Sequence, residues 1–266
     1  MTGVTATAGI SGFPFVHAAP AEDTKPIKIG LIGCGGRGTG AAADAMHADP
    51  NVRLVAMADP FQDRIDRSLK TLKDPDSSGL DPERIEVTDE ACFAGMDGYK
   101  KVLAMDIDYV CLVSPPGFRP VHFEAAVDAG KHIFAEKPLG TDPVGVRRIR
   151  AAAQKAKDNG LSVVVGLNAR HSLYSAELVK RVHDGAIGKI SSGRSYRMHG
   201  GLWHRGSDPS WTPMEYQCRN WYYFCWLSGD QITEMAVHSI DFVNWVMNST
   251  PLSAIGSGGR TAVSYT

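Results

Sequence analysis

One stretch constrains the fold more than any other. Ile27-Lys28-Ile29-Gly30-Leu31-Ile32 is a short β-type run, Gly33-Cys34-Gly35-Gly36-Arg37-Gly38 follows it directly, and Thr39 to Ala48 is alanine-rich and helical in character. A strand, a G-x-G-x-x-G loop and a helix in that order is the context of a dinucleotide-binding βα turn. Gly33 is expected to make the tight turn, Gly35 to let a pyrophosphate approach the backbone, and Gly38 to permit close helix–strand packing. The unpaired N–H groups and the dipole at the helix start favour an anion there. Val52 to Ala58 reads as the next strand, with Asp59 at its end, 21 residues beyond Gly38. A carboxylate at that place accepts both ribose hydroxyls of NAD and repels the 2′-phosphate of NADP, so NAD is the expected cofactor. The same residue also suits the N-cap of the following helix.

The alternation continues. Ile85-Glu86-Val87 is expected to be a short strand, Tyr109 to Val113 a buried one stopped by Ser114-Pro115-Pro116, Val121 to Ala129 a helix ended by Gly130, and His132 to Ala135 a further strand. Pro143 to Asn159 is a cationic helix with a solvated face, and Ser162 to Gly166 the last strand of this kind. Strands alternating with helices predict an α/β chain with a doubly wound parallel sheet, whose ligands sit at the carboxyl ends of the strands. Asp59, Ser114-Pro115 and Glu136-Lys137-Pro138 all fall at such ends. An ammonium at Lys137 would stabilise a developing alkoxide; a solvated Lys137–Glu136 pair is the alternative.

The second half is patterned differently. Ser175 to Asp184 reads as a helix, and Lys189 to His199 alternates like a strand. Residues 200–229 are dense in aromatic side chains interleaved with His204, Arg205, Arg219 and Asn220. Flat rings such as Trp221 and Tyr223 beside hydrogen-bonding groups such as Arg219 suit a carbohydrate; a subunit interface or a packed loop fits the same composition. Asp230 to Met247 reads as one helix, buried on most sides, with Gln231, Glu234, His238, Asp241 and Trp245 on one stripe. An acid–histidine stripe on such a helix is unfavourable unless it faces a site or water.

Composition excludes other classes. The 266 residues are 43% hydrophobic with a formal net charge of −1, so neither a disordered chain nor a phosphate-neutralising nucleic-acid binder is expected. No apolar run is long enough to span a bilayer. The five cysteines are scattered without a C-x-x-C pair, and no H-E-x-x-H is present, so no metal site is expected. Residues 1–24 hold a weak apolar run, Ala8 to Val16, followed by Ala18-Ala19-Pro20-Ala21. They read either as the remnant of an export signal, implying a periplasmic protein, or as a disordered tail on a cytoplasmic one.

Gly33-Cys34-Gly35-Gly36-Arg37-Gly38, Asp108-Tyr109-Val110 before Ser114-Pro115-Pro116, and His122 through Ala129-Gly130-Lys131-His132 to Glu136-Lys137-Pro138 together resemble the Gfo/Idh/MocA family, the glucose–fructose oxidoreductase and inositol dehydrogenase group, over about residues 26 to 260. The resemblance implies a Rossmann domain over 25–148, a substrate and oligomerisation domain of α+β open-sheet type over 149–266, and NAD(P)-dependent chemistry on sugars or polyols. It implies that Lys137 lies by the nicotinamide and contacts the reacting hydroxyl, with His238 as general base and Glu234 as its acid partner. It further implies Gly36, Arg37, Ser114, Pro115, His122 and Glu136 on the cofactor side, and Arg170 and His171 on the substrate side, with Asp241 beside them. The family commonly has Asp and a small Gly where this chain has Glu234 and Ala236. Some relatives cleave glycosides by transient oxidation with NAD retained, which is the second expectation. The family's open sheet takes more chain than follows Gly256-Ser257-Gly258-Gly259, so the second domain is expected to be incomplete. A non-catalytic nucleotide-binding fragment is therefore the third reading, and a homo-oligomer is expected if that domain is complete.

Overall fold

The computed structural model describes residues 25–198 and 200–259. The expectations for 1–24, for His199 and for the last residues lie outside that range. Strands β1 (Ile27–Ile32), β2 (Val52–Asp59), β3 (Cys92–Ala94), β4 (Tyr109–Leu112), β5 (His132–Ala135) and β6 (Val163–Val165) form one parallel sheet in the order β3-β2-β1-β4-β5-β6. This is the strand order of a Rossmann fold, reversing direction between β1 and β4. Helices α1 (Gly36–Ala48) and α2 (Gln62–Lys73) bury Ala42, Met46, Ile65 and Leu72 against one face. After a short α3 (Pro75–Ser78), helices α4 (Gly98–Ala104), α5 (Arg119–Asp128) and α6 (Pro143–Asp158) bury Val102, Phe123, Ala126 and Ile149 against the other. Both faces are covered, as a parallel sheet of apolar strands requires.

Two sheet expectations need correction. Ile85 makes only a single bridge to Leu54, and the edge strand is Cys92–Ala94, paired to Met57–Asp59. A three-residue edge strand is set by register against its neighbour rather than by its own hydrophobic pattern. The expected domain boundary at 148/149 falls inside α6, and β6 still pairs with β5, so the sheet layer runs on to Val165.

Beyond the sheet lie a 3₁₀ turn, Asn168–His171, and helices α7 (Leu173–His183), α8 (Pro213–Arg219), α9 (Cys225–Ser228), α10 (Asp230–Glu234) and α11 (Val237–Met247). Among the described residues after Val165 there is no strand, so the expected open sheet has no counterpart there. Residues 189–198 are irregular and largely exposed, because their alternating pattern finds no ladder to join. The expected helix from Asp230 is broken at Met235–Ala236, where the Ala236 N–H reaches back to the Gln231 carbonyl at 2.9 Å. Nor is it buried on most sides: Ile232 and Ile240 are exposed, and α11 has no fully buried residue. No helix of the described residues is long and apolar enough to cross a membrane.

Candidate active site

The glycine loop behaves as its residue types require. Gly33 has φ +100°, and a Cβ there would lie 2.6 Å from the Ser114 nitrogen. A Cβ on Gly38 would lie 1.8 Å from the Gly33 carbonyl oxygen, so only glycine lets α1 start this close to β1. Above the loop is a cleft of about 300 Å³, lined by Gly33, Gly35, Gly36, Arg37, Gly38 and Asp59 and walled on the other side by Trp203, Trp221 and Tyr222. Its floor suits a diphosphate: the backbone is bare at Gly35 and Gly36, where an added Cβ would meet no backbone atom.

Asp59 accepts from the Cys34 N–H at 2.8 Å and the Phe61 N–H at 3.0 Å, bracing the glycine loop against the loop after β2. It is not the N-cap of α2, a place that Phe61 takes. Burial raises the Asp59 pKa, opposed by those two N–H groups and by Arg64. Arg37 does not extend freely into the cleft; its Nε donates to Glu136 at 2.7 Å and its other end pairs with Asp44. Ser114 Oγ and His122 Nδ1 are 2.9 Å apart, and His122 packs against Tyr99 in a small pocket that also touches Gly33, Asp59 and Pro115. Burial and the neighbouring Arg119 push His122 down to about 4, so it is neutral near pH 7.

At the end of β5, Glu136 takes hydrogen bonds from Arg37 and from the backbone N–H of Lys137, and a Cβ on Gly166 would sit 2.8 Å from its carboxylate. Lys137 is not paired with Glu136. Its Nζ donates to the Glu234 carbonyl at 2.6 Å and to Glu234 Oε1 at 2.7 Å. The Tyr222 hydroxyl donates to the same Oε1 at 3.2 Å, while Oε2 is buried without a partner among the described residues. Burial raises the Glu234 pKa against the pull of Lys137, Arg119 and Tyr222, and Tyr222 is pushed up to about 12, chiefly by burial.

His238 lies half-buried one turn further on. Burial first, then the Lys137 and Arg197 charges, lower its pKa, so the imidazole is neutral near pH 7. No hydrogen bond joins it to Glu234 among the described residues; the acid serves the lysine instead. Asp241 on the same stripe takes a forked pair from Arg170 at 2.8–3.0 Å, and Arg170 also stacks over Trp245. The structure thus brings Lys137, Glu136, Glu234 and His238 together, with Tyr222 added.

Other expected substrate residues are placed differently. Arg219 is engaged by Asp63 of α2 and by Glu215, and lies 4.0 Å over the Phe61 ring, so it docks the aromatic segment onto the sheet domain. Trp221 lines the cleft, stacked on Tyr222 at 4.1 Å. Tyr223 donates to the Leu202 carbonyl away from the cleft lining, and His171 is exposed. Sequence reasoning missed Arg119, a buried cation that donates to the carbonyls of Ser114 and Pro138 and so joins the loops after β4 and β5. Burial lowers its pKa only to about 10, which leaves it charged. An arginine opening a helix, against the macrodipole, was the one local signal.

The chain resembles known proteins in sequence and in fold. The chain is 26% identical over 227 residues to inositol 2-dehydrogenase of Rhizobium meliloti strain 1021, covering 85% of this chain and 57% of that protein. It is 25% identical to a glycosyl hydrolase family 109 protein of Streptomyces coelicolor, covering 71% and 41% respectively. The crystal structure of scyllo-inositol dehydrogenase from Lactobacillus casei with bound NAD(H) and scyllo-inositol superposes with a TM-score of 0.61 at 26% identity, covering 84% of this chain and 57% of that one. The chain therefore spans somewhat over half the length of the inositol dehydrogenases it matches. The family model described as "Oxidoreductase family, NAD-binding Rossmann fold" matches residues 27–167. With its glycine loop, strand order and Glu136-Lys137-Pro138 end of β5, this chain belongs to the Gfo/Idh/MocA oxidoreductase family.

Proposed function

We propose that the protein is an NAD-dependent oxidoreductase that moves a hydride between a carbinol carbon of a sugar or polyol and the nicotinamide ring. The observation that carries this reading is the cluster of Lys137, Glu234, Tyr222 and His238 at the carboxyl end of β5, joined through Tyr222 to the cleft above the glycine loop. When bound, the dinucleotide supplies the hydride acceptor or donor. The rest is the work of side chains. Lys137 has three N–H donors, of which two go to Glu234, so the third is available to a substrate hydroxyl. Its charge stabilises oxygen as that hydroxyl loses its proton. Neutral His238 accepts the proton in the oxidising direction and returns it in the reducing one. Arg170, fixed by Asp241 through Nε and Nη2, keeps Nη1 uncommitted among the described residues for a further hydroxyl.

NAD rather than NADP is part of the proposal, on the carboxylate of Asp59. NADH formation with inositols and related polyols, compared between wild type and His238→Ala, tests it. Turnover that survives the substitution unchanged refutes the role of the imidazole.

A second reading, glycoside cleavage through transient oxidation, is favoured by the wall of Trp203, Trp221 and Tyr222 over the cleft and by the glycosyl hydrolase family 109 relatives. Glycoside turnover without net NADH would select it.

A further inference from the structure

Two arginines lining the cleft make no ion pair among the described residues. Asp63 and Arg64 are neighbours on α2: Asp63 engages Arg219, while Arg64 lines the cleft, its Nη1 only 3.9 Å from where a Cβ on Gly35 would lie. The Arg64 guanidinium is half-buried and makes no hydrogen bond or ion pair among the described residues. Arg205 reaches the same cleft from the second half. Its backbone N–H is held by the fully buried Asn220 at 2.7 Å, and its guanidinium stacks on Trp203 at 4.7 Å with no carboxylate partner among the described residues. The two cations are close enough that Arg205 is, after burial, the largest influence depressing the Arg64 pKa, against the pull of the Asp59 and Asp63 carboxylates. By contrast Arg37, Arg170 and Arg219, around the same site, are each held by a carboxylate. Two guanidiniums converging on one concave surface repel each other until an anion lies between them.

We propose that Arg64 and Arg205 are the two jaws of a clamp that closes on the diphosphate of the dinucleotide where it rests on Gly35. The inference rests on the dinucleotide reading and adds to it a link between the two halves of the chain. The diphosphate joins α2 to the aromatic segment, so cofactor binding and docking of residues 200–229 are coupled. Phosphate recognition by guanidinium is charge-assisted and can be two-pronged.

The test is calorimetric titration of the full chain with NAD and with NADP, for wild type, Arg64→Met and Arg205→Met, together with the melting temperature of each protein without nucleotide. Each variant is expected to weaken both nucleotides by about tenfold or more, leaving their ratio unchanged, as loss of a charge-assisted hydrogen bond requires. The nucleotide-free melting temperature should not fall, because one of two repelling charges has gone. A loss confined to NADP would reassign the pair to a ribose phosphate and overturn the clamp. Unchanged affinity would overturn it too, as would a lowered melting temperature that accounts for the loss as packing. If wild type bound neither nucleotide, the dinucleotide reading itself would fail, an outcome distinct from variants that bind like wild type.

Discussion

Lys137 and Glu234 lie 97 positions apart, yet the lysine ammonium holds both the backbone carbonyl and the carboxylate of the same glutamate. The contact fastens the end of β5 to α10 and turns two separate sequence features, the Glu136-Lys137-Pro138 tripeptide and the Glu234/His238 stripe, into one cluster. It also explains the break in the last helix. The Glu234 carbonyl, which an unbroken helix would give to the N–H four residues on, is directed to Lys137 instead.

Lys137→Met should abolish turnover and also destabilise the fold. It strands a buried carboxylate, at a cost of roughly 3 kcal/mol near neutral pH. Because the Glu234 pKa is already raised, that cost should shrink as pH falls and the carboxylate protonates. Adding Glu234→Gln should restore most of the stability but none of the turnover. Urea unfolding of the single and double variants reads the first, and NADH formation the second.

The pH profile of oxidation should report His238. Its pKa is depressed below the usual 6.5, so the proton-accepting form is the one present above the shifted value. The expected kcat/KM therefore rises with pH through a midpoint below 6.5 and is flat by neutrality. Arg197→Gln removes one of the charges lowering the pKa and should move the midpoint upward. A profile whose midpoint ignores Arg197→Gln would contradict the assignment.

His122 should make the fold acid-sensitive. It titrates near 4 when folded and near 6.5 when unfolded, so between those values the unfolded chain takes up a proton that the native one does not. Stability should fall by up to roughly 3 kcal/mol as pH drops through that window. His122→Gln should flatten this part of the stability curve, followed by urea midpoints across the pH range.

Two glycines of one loop should respond unequally. Gly38→Ala drives a methyl into the Gly33 carbonyl and should cost several kcal/mol of stability, whereas Gly36→Ala meets nothing within 4 Å. Thermal unfolding should show a large drop for the first and little change for the second.

The chain from Ile27 to Asp59 was legible because every signal there is local: an apolar run, glycines of fixed purpose, an alanine-rich helix and a terminal carboxylate. Lys137, Glu234 and His238 were legible as residue types, but their partners were not. Nothing near Glu234 in the sequence says that it serves Lys137 rather than His238, because the pairing is made by tertiary packing. The same holds for Arg219, whose aromatic neighbours suggested a sugar site while Asp63 and Phe61 engage it as a fastener. Arg64 has no mark of its own in the sequence and Arg205 stands out only as one polar residue among aromatics, since an arginine without an ion-pair partner is recognisable only once its surroundings are known. Edge strand β3 and the unpaired 189–198 segment failed for one reason: pairing depends on a neighbour, not on pattern alone.

The central claim is hydride transfer to and from a carbinol carbon assisted by Lys137. Its most direct test is a single-turnover reaction of the protein with NAD and a polyol deuterated at the carbinol carbons, with mass spectrometry of the recovered nucleotide. Wild type is expected to place deuterium on the nicotinamide ring and Lys137→Met none. Deuterium appearing equally in both proteins, or in neither while NAD is bound, would contradict the claim.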